Sequence, residues 1–363
     1  MNNCAFVRFP YRVFFALALS ILALSGCSAP RYQVGVYYYP GWKDNAEQAR
    51  AQPWEVIKSY PEREPFLGWY EEGSTDIAEQ HVKWMSSYGI DFVIYDWYWK
   101  KNNQTRLSHA LDAYLALKEK HGVKFSILWA NHSEVPENYE QFDSMVDFWI
   151  KNLITDENFL KIDGRPAVFV FSPETLDRNA RKFGSSGKIL IERANAIARK
   201  WGFPGFFLIG SGNALVGQIN NIHRDGYDAI SAYNYHRGFS GKVDNRPLSR
   251  SYAELVDGYE ESWKWILENS KIPYIVPLTS GWDKRPWQKS GVVDEHDKSY
   301  GNPSDFESHL KKSKMYMDAH PQKTIKMTVI CCWNEFGEGS YIEPTKKDGF
   351  DYLDRVKKIF GKK

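Results

Sequence analysis

Between Gln33 and Phe360 the sequence alternates short runs rich in Val, Ile, Phe and Tyr with amphipathic stretches of helical length, eight of each. The runs fall at 33–39, 91–96, 124–129, 167–171, 206–210, 229–233, 274–278 and 325–333. The helical stretches fall at 76–88, 107–120, 139–154, 188–201, 214–223, 252–269, 304–320 and 350–360. Runs that are apolar throughout, rather than at every second residue, suit strands covered on both faces. Eight strand–helix units of this kind predict an α/β chain folded as a single (β/α)8 barrel spanning 33–363. Asp76 with Glu79 can form a capping pair, and Gly89, Gly122 and Gly202 follow helical stretches, where a left-handed residue is wanted.

Loop lengths give the barrel a direction. Helix-to-strand connections are as short as Gly89-Ile90 and Gly122-Val123, whereas strand-to-helix connections run long, at 40–75, 234–251, 279–303 and 334–349. The long loops leave the carboxyl ends of the strands, the end at which barrels of this class carry their sites.

Upstream, Arg8 and Arg12 flank the start of an apolar segment, 13–24, that is too short for a helical membrane span of about 20 residues and fits an export signal. It leads into Leu24-Ser25-Gly26-Cys27, which resembles the bacterial lipobox. That resemblance implies a lipoprotein signal at 1–26, a lipidated Cys27, a tether at 27–32 and a bacterial protein held at a membrane, in the periplasm or at the cell surface. Cys4 is then discarded, and Cys331 and Cys332, neighbours on one run, are expected to point to opposite faces as buried thiols. Lys and Arg total 47 against 45 acidic residues, a balance that gives no electrostatic reason to expect nucleic acid as a partner. No spacing suits a metal, no cofactor motif is complete, and a monomer is expected.

Aromatic residues make up 16% of the chain, more than packing alone asks for, and they collect at the strand ends. Tyr37 to Trp42, Tyr95 to Trp99, Trp129 to His132, Ser211 with Asn213, Tyr233 to His236, Gly281 to Asp283 and Trp333 to Glu335 bring rings together with Asn, Asp or His. Rings that stack on sugar C–H faces, edged by groups that bind hydroxyls, make a carbohydrate site. Its expected contacts are Tyr38, Trp42, Asp96, Trp99, Asn131, Tyr233, His236, Trp282 and Asn334.

The stretch CCWNEFGEGSYIEP adds acid groups at the end of the eighth run. Cleaving a glycosidic bond needs one carboxylic acid at the departing oxygen and a second carboxylate near the anomeric carbon. Glu335 and Glu338 supply such a pair, and Gly337 and Gly339 permit a turn that aims both at one cavity. Spacing alone leaves retaining and inverting geometries open.

Trp333-Asn334-Glu335-Phe336-Gly337-Glu338-Gly339, followed by Tyr341-Ile342-Glu343-Pro344, resembles the hallmark of glycoside hydrolase family 99 and its relatives. Those relatives include a bacterial, WbsX-like family named for lipopolysaccharide-biosynthesis glycosyltransferases. Val36 to Pro40, Tyr95 to Trp99 and Leu160 to Pro166 extend the likeness over most of the chain after Cys27. The resemblance implies a metal-free barrel that cleaves internally with retention, the sugar's own 2-hydroxyl taking part. It implies that Glu335 is the base on that hydroxyl and Glu338 the acid, later the base, at the leaving oxygen. Gly337 departs from the family-99 pattern, which has a larger residue there, often histidine, and the first loop differs as well. Two other functions compete. A glycosyltransferase or transglycosylase of cell-surface polysaccharide would share the barrel, but the chain has no Asp-x-Asp motif or phosphate-binding glycine loop for a nucleotide-sugar donor. A glycan-binding lipoprotein would use the aromatic rim and have no use for an acid pair.

Overall fold

Eight parallel strands are laid down in chain order: β1 (Gln33–Tyr38), β2 (Phe92–Trp99), β3 (Lys124–Trp129), β4 (Arg165–Val170), β5 (Phe207–Ser211), β6 (Ala229–Ser231), β7 (Val276–Thr279) and β8 (Met327–Cys331). The computed structural model describes residues 31–44, 52–239, 250–288 and 296–361. The expected export signal, Cys27 and most of the tether lie outside the described residues.

The ladder runs β6-β5-β4-β3-β2-β1-β8-β7. A parallel bridge from Ile230 to Tyr274 joins its two ends, with Ile230 donating to the Pro273 carbonyl at 2.9 Å and Ile275 to the Ile230 carbonyl at 2.8 Å. The sheet is thereby closed into the expected (β/α)8 barrel.

Alternation along each strand then sorts the side chains. On β1, Val34, Val36 and Tyr38 pack into the layer between strands and helices, whereas Tyr37 joins Phe92, Ile94, Leu128, Phe169, Ile209 and Val329 inside the barrel. Gly35 leaves the interior room for its neighbour: a methyl group there would stand 2.1 Å from the Phe92 ring.

Among the described residues, nine α-helices of eight residues or more follow the strands or lie between them: α1 (Thr75–Ser87), α2 (His109–Ala116), α3 (Tyr139–Trp149), α4 (Pro173–Lys182), α5 (Gly187–Lys200), α6 (Val216–Asp225), α7 (Tyr252–Asn269), α8 (Pro303–Ala319) and α9 (Asp351–Phe360). The cap of α1 is Ser74, whose side chain accepts from the Asp76 amide, two residues before the capping pair expected at Asp76. Helix α3 continues through a π-helical turn, Ile150–Ile154, so the single long helix expected there changes its winding midway. Helix α4 is an addition to the eight expected, because its sequence, PETLDRNARK, carries few apolar residues to mark a period. Pro173 in its first turn and Ser172, which caps the Thr175 amide, start it.

Cys331 and Cys332 correct a further expectation: they are bonded to each other as a vicinal disulfide, both fully buried. Strand β8 stops at Cys331, so the alternation that would have parted their side chains ends between them.

Gly35→Ala should overpack the interior against Phe92 and lower the unfolding free energy by about 1–3 kcal/mol. A shift of the urea midpoint to lower concentration checks this, and an unchanged midpoint would contradict the close packing described.

Candidate active site

Beyond β8 the chain folds back as a short hairpin. Asn334–Glu335 pairs antiparallel with Ser340–Tyr341, Glu335 opposite Ser340, and residues 336–339 make the turn. The Glu338 amide donates to the Glu335 carbonyl at 3.1 Å. A turn closed in this way keeps the Cα atoms of its first and fourth residues within about 7 Å, so both glutamates rise from one bend. Gly339 has φ +64, and a Cβ there would stand 2.8 Å from that of Asp283. Gly337 is needed for a different reason: the indole of Trp287 covers it, and a Cβ would fall 1.9 Å from that ring.

Buried charge pins the bend from outside. Arg63, in the first loop, donates to the Phe336 carbonyl at 2.6 Å and the Asp283 carbonyl at 3.0 Å, and pairs with the Asp283 carboxylate at 2.5 Å. Arg285 binds the same carboxylate through two contacts of 2.6 Å, and the Asp283 amide donates to the Glu338 carbonyl at 2.6 Å. Burial works to raise the Asp283 carboxyl, but the hydrogen bond from Arg285 and the charges of Arg63 and Arg285 outweigh it and hold the group below the usual carboxylate range. From beneath, the Asn334 amide accepts from the Tyr39 N–H at 2.9 Å and donates to the Tyr39 carbonyl at 3.0 Å and to Glu72 at 3.2 Å. Trp42 donates its indole N–H to the Asn334 carbonyl at 2.8 Å.

The carboxyl group of Glu335 is buried, and Glu338 is partly exposed. Tyr233, just past β6, places its hydroxyl 3.1 Å from Glu335 Oε1 and 3.2 Å from Oδ2 of Asp96 on β2. Burial, then the negative charges of Glu338 and Asp96, push Glu335 well above the ordinary carboxyl range against the opposing hydrogen bond from Tyr233. Asp96 is raised as well, chiefly by burial, with Tyr233 opposing and Glu338 adding to the rise. Asp96 Oδ1 and Glu335 Oε2 are buried with no hydrogen-bond partner among the described residues, an arrangement suited to hydroxyl donors from a ligand. The phenols of Tyr39 and Tyr98 complete the surround. Both are raised by burial first, then by carboxylates that include Glu335 and Asp96.

From Tyr233 a cavity of about 270 Å³ opens between the ends of β4, β5 and β6, lined among others by Phe171, Ser211, Asn213 and His236. Its lining reaches the acids through Tyr233. His236 stacks on Trp282 at 4.4 Å and 16°, and Phe171 meets Tyr233 at 5.9 Å.

Of the residues expected from sequence, the structure therefore gathers Glu335, Glu338, Asp96 and Tyr233, with His236 and Trp282 on the flank. Others are corrected. Tyr38 and Trp99 have the wrong parity and face the helix layer, where Tyr38 meets His81 Nδ1 at 3.3 Å and Trp99 stacks on Trp97 at 5.4 Å. Trp42 is fully buried within the first loop, stacked on Trp54 at 4.2 Å, and offers no face to a sugar. Asn131 ties β3 to β4, donating to the Ser172 carbonyl at 2.8 Å and accepting from its amide at 2.7 Å. Asn334 is likewise occupied by the hairpin's footing. Glu343, the third acid of the motif, accepts from the Tyr70 hydroxyl at 2.9 Å and lies 3.3 Å from His81, away from the pair. Tyr39 and Tyr98 lie in the ring-rich stretches but are not among the expected contacts, although parity signals them: each lies two residues beyond an inward side chain, Tyr37 and Asp96. Arg63 and Trp287 carry no local signal, since loops that are distant in sequence bring them in.

The sequence profile of the family described as Glycosyltransferase WbsX matches residues 40–356. No curated protein matches the chain. Among solved structures, a "Glycoside hydrolase-like protein" superposes with a TM-score of 0.65 at 15% identity, covering 99% of this chain and 98% of the other. The family GH99 endo-alpha-mannosidase from Bacteroides thetaiotaomicron gives 0.58 at 16% identity over 89% of this chain and 95% of that one. A family 1 β-glucosidase from Thermotoga maritima gives 0.52 at 11%, covering 90% and 97%. At these identities the likeness is one of fold.

Asp96 and Glu335 are both raised in the folded protein, so the folded state binds more protons than the unfolded one. The stability this gives is complete below the ordinary carboxyl value of about 4 and is lost as pH rises through the raised values, at up to about 1.4 kcal/mol per pH unit for each proton. Asp96→Asn removes one such group, so unfolding free energies measured between about pH 4 and pH 8 should fall less steeply than in the parent. Parallel curves would refute the assignment.

Proposed function

The chain belongs to the family described as Glycosyltransferase WbsX, and from that membership and its acid pair we propose that it is a glycoside hydrolase acting on a polysaccharide or oligosaccharide, with Glu335 and Glu338 as the working residues. The observation that carries the proposal is the closed turn from Glu335 to Glu338, which brings two carboxyl groups to the carboxyl end of β8 and the buried one against Tyr233.

The roles are those that the motif's resemblance to family 99 implies. Glu338, partly exposed at the mouth, is the acid that protonates the departing oxygen and then the base that draws a proton from water. Glu335, buried among tyrosines, is the base at the sugar's 2-hydroxyl, a role that rests on the motif's resemblance to family 99, as do retention and internal cleavage. Like charges held close cannot both ionise freely, so an acid and a base coexist near neutrality. The flank of Phe171, Tyr233 and His236, the last backed by the buried Trp282, supplies apolar faces and hydroxyl partners for a sugar ring. Mannose is not part of the proposal, because Gly337 with Trp287 packed on it departs from the family-99 turn.

The family's name favours a second reading, transfer of a glycosyl group from a glycoside donor to an acceptor hydroxyl. The same acid pair would serve, with a sugar in place of water. The protein is also proposed to be exported and lipidated at Cys27, supported by the basic start, the short apolar segment and Leu24-Ser25-Gly26-Cys27.

Incubation with a panel of polysaccharides, with product masses read out, should yield oligosaccharides, and added acceptor sugars distinguish transfer from hydrolysis by mass. Glu338→Gln and Glu335→Gln should each lower turnover by about 10²–10⁴-fold while ligand binding is retained. Unchanged turnover in either variant would end the proposal. Cys27→Ser should move the protein from the membrane fraction to the soluble one, and a protein that stays with the membrane would rule out the anchor.

A further inference from the structure

We infer that Asp96 and Glu335 hold a single proton between them, passed through the hydroxyl of Tyr233, and that Asp96 is thereby a proton store and positioning residue for Glu335. The geometry leaves few alternatives. Tyr233 Oη lies 3.2 Å from Asp96 Oδ2 and 3.1 Å from Glu335 Oε1, and a phenol has one hydrogen to give. Were both carboxyl groups ionised, one of these two contacts would set a carboxylate oxygen against the phenol oxygen with no hydrogen between them, in a buried site where such repulsion is poorly screened. Ionising Tyr233 makes matters worse, since burial and the facing carboxylates push that phenol well above its ordinary range.

A second hydrogen in the array removes the conflict. The array then runs either Glu335 O–H to Tyr233 O–H to Asp96, or Asp96 O–H to Tyr233 O–H to Glu335. The two forms interconvert when each hydrogen crosses to the next oxygen, and the count of protons and charge is unchanged. The groups that bear on the array are acids and phenols. Glu338 from the hairpin and Glu72 from the first loop act on Glu335, Glu338 acts on Asp96, and Tyr39 and Tyr98 stand alongside. Arg106 acts on Tyr98, beyond the array. Negative neighbours on both carboxyl groups favour keeping the proton, and the phenol lets it leave Glu335 without leaving the site. This bears on the proposed hydrolase in one respect only: Glu335 becomes a base when the shared proton rests on Asp96.

Infrared spectra of the protein near neutral pH test the sharing with no need for turnover, so they stand or fall apart from the proposed activity. The parent should show a protonated-carboxyl stretch, and Asp96→Asn and Glu335→Gln should each lose that same band. In either variant the new amide donates to Tyr233, and the remaining carboxylate accepts from it. A proton held by one acid on account of its own burial would vanish in one variant and persist in the other, which would overturn the inference, as would a parent with no such band. Tyr233→Phe deletes the bridge and no carboxyl group, and should shift the band to higher frequency. An unmoved band would also overturn the inference, and this variant decides the matter if an amide variant fails to fold by circular dichroism.

Discussion

A closed barrel forces each strand to divide its side chains between a packed interior and a helix layer, and everything at the mouth of this protein inherits that division. Because Phe92 and Ile94 fill the interior, Asp96 and Tyr98 must follow them inward, and Trp97 and Trp99 must turn to the helices. Because Tyr37 is interior, Tyr39 continues toward the acids while Tyr38 meets α1. The position of a residue along its strand thus decides whether an aromatic ring supports the core or faces a ligand, more firmly than its chemistry does.

A barrel rim fixes where strands end but not how a hairpin stands on it. Here that task falls to Arg63, buried to 2% exposure, which joins the first loop to the carbonyls of Phe336 and Asp283. A buried cation is costly unless paired, and Asp283 supplies the counter-charge while its own amide holds the Glu338 carbonyl. The positive charge acts on the backbone of the turn and on Asp283. It therefore steadies the bend and leaves Glu335 with acid neighbours, which add to the rise that burial imposes on its carboxyl group.

The fold was legible in the sequence because alternation of apolar runs and helical periods is a local signal repeated in all eight units. What escaped was local structure with weak periodicity, as in α4, or a change of winding, as at Ile150–Ile154. The site was legible in part. The acid pair announced itself through its glycines and its place after the last strand. Asp96 and Tyr233 follow from strand ends, whereas for Tyr38, Trp99, Trp42, Asn131 and Asn334 residue type points to the site while parity, or the backbone groups they satisfy, takes them elsewhere. Asn131 and Asn334 show the second effect: strand ends that meet at a rim leave N–H and C=O groups unpaired, and a buried amide partners both. The vicinal disulfide could not be read because the end of a strand, where alternation lapses, is the least certain boundary in a sequence.

The arrangement at the mouth also favours the proposed catalyst over a binder on energetic grounds. Asp96 and Glu335 are carried into the protein at the expense of stability near neutral pH, since burial and like charge oppose their ionisation and each leaves an oxygen unpaired. A protein that only grips hydroxyls gains the same contacts from Asn and Gln, which are neutral at every pH and satisfy one another more readily. Acids become worth their cost where a proton must change places, and then the environment has to be one that keeps them poised between forms. Buried carboxyl groups that meet at one phenol, beside a partly exposed glutamate on the same bend, meet that requirement.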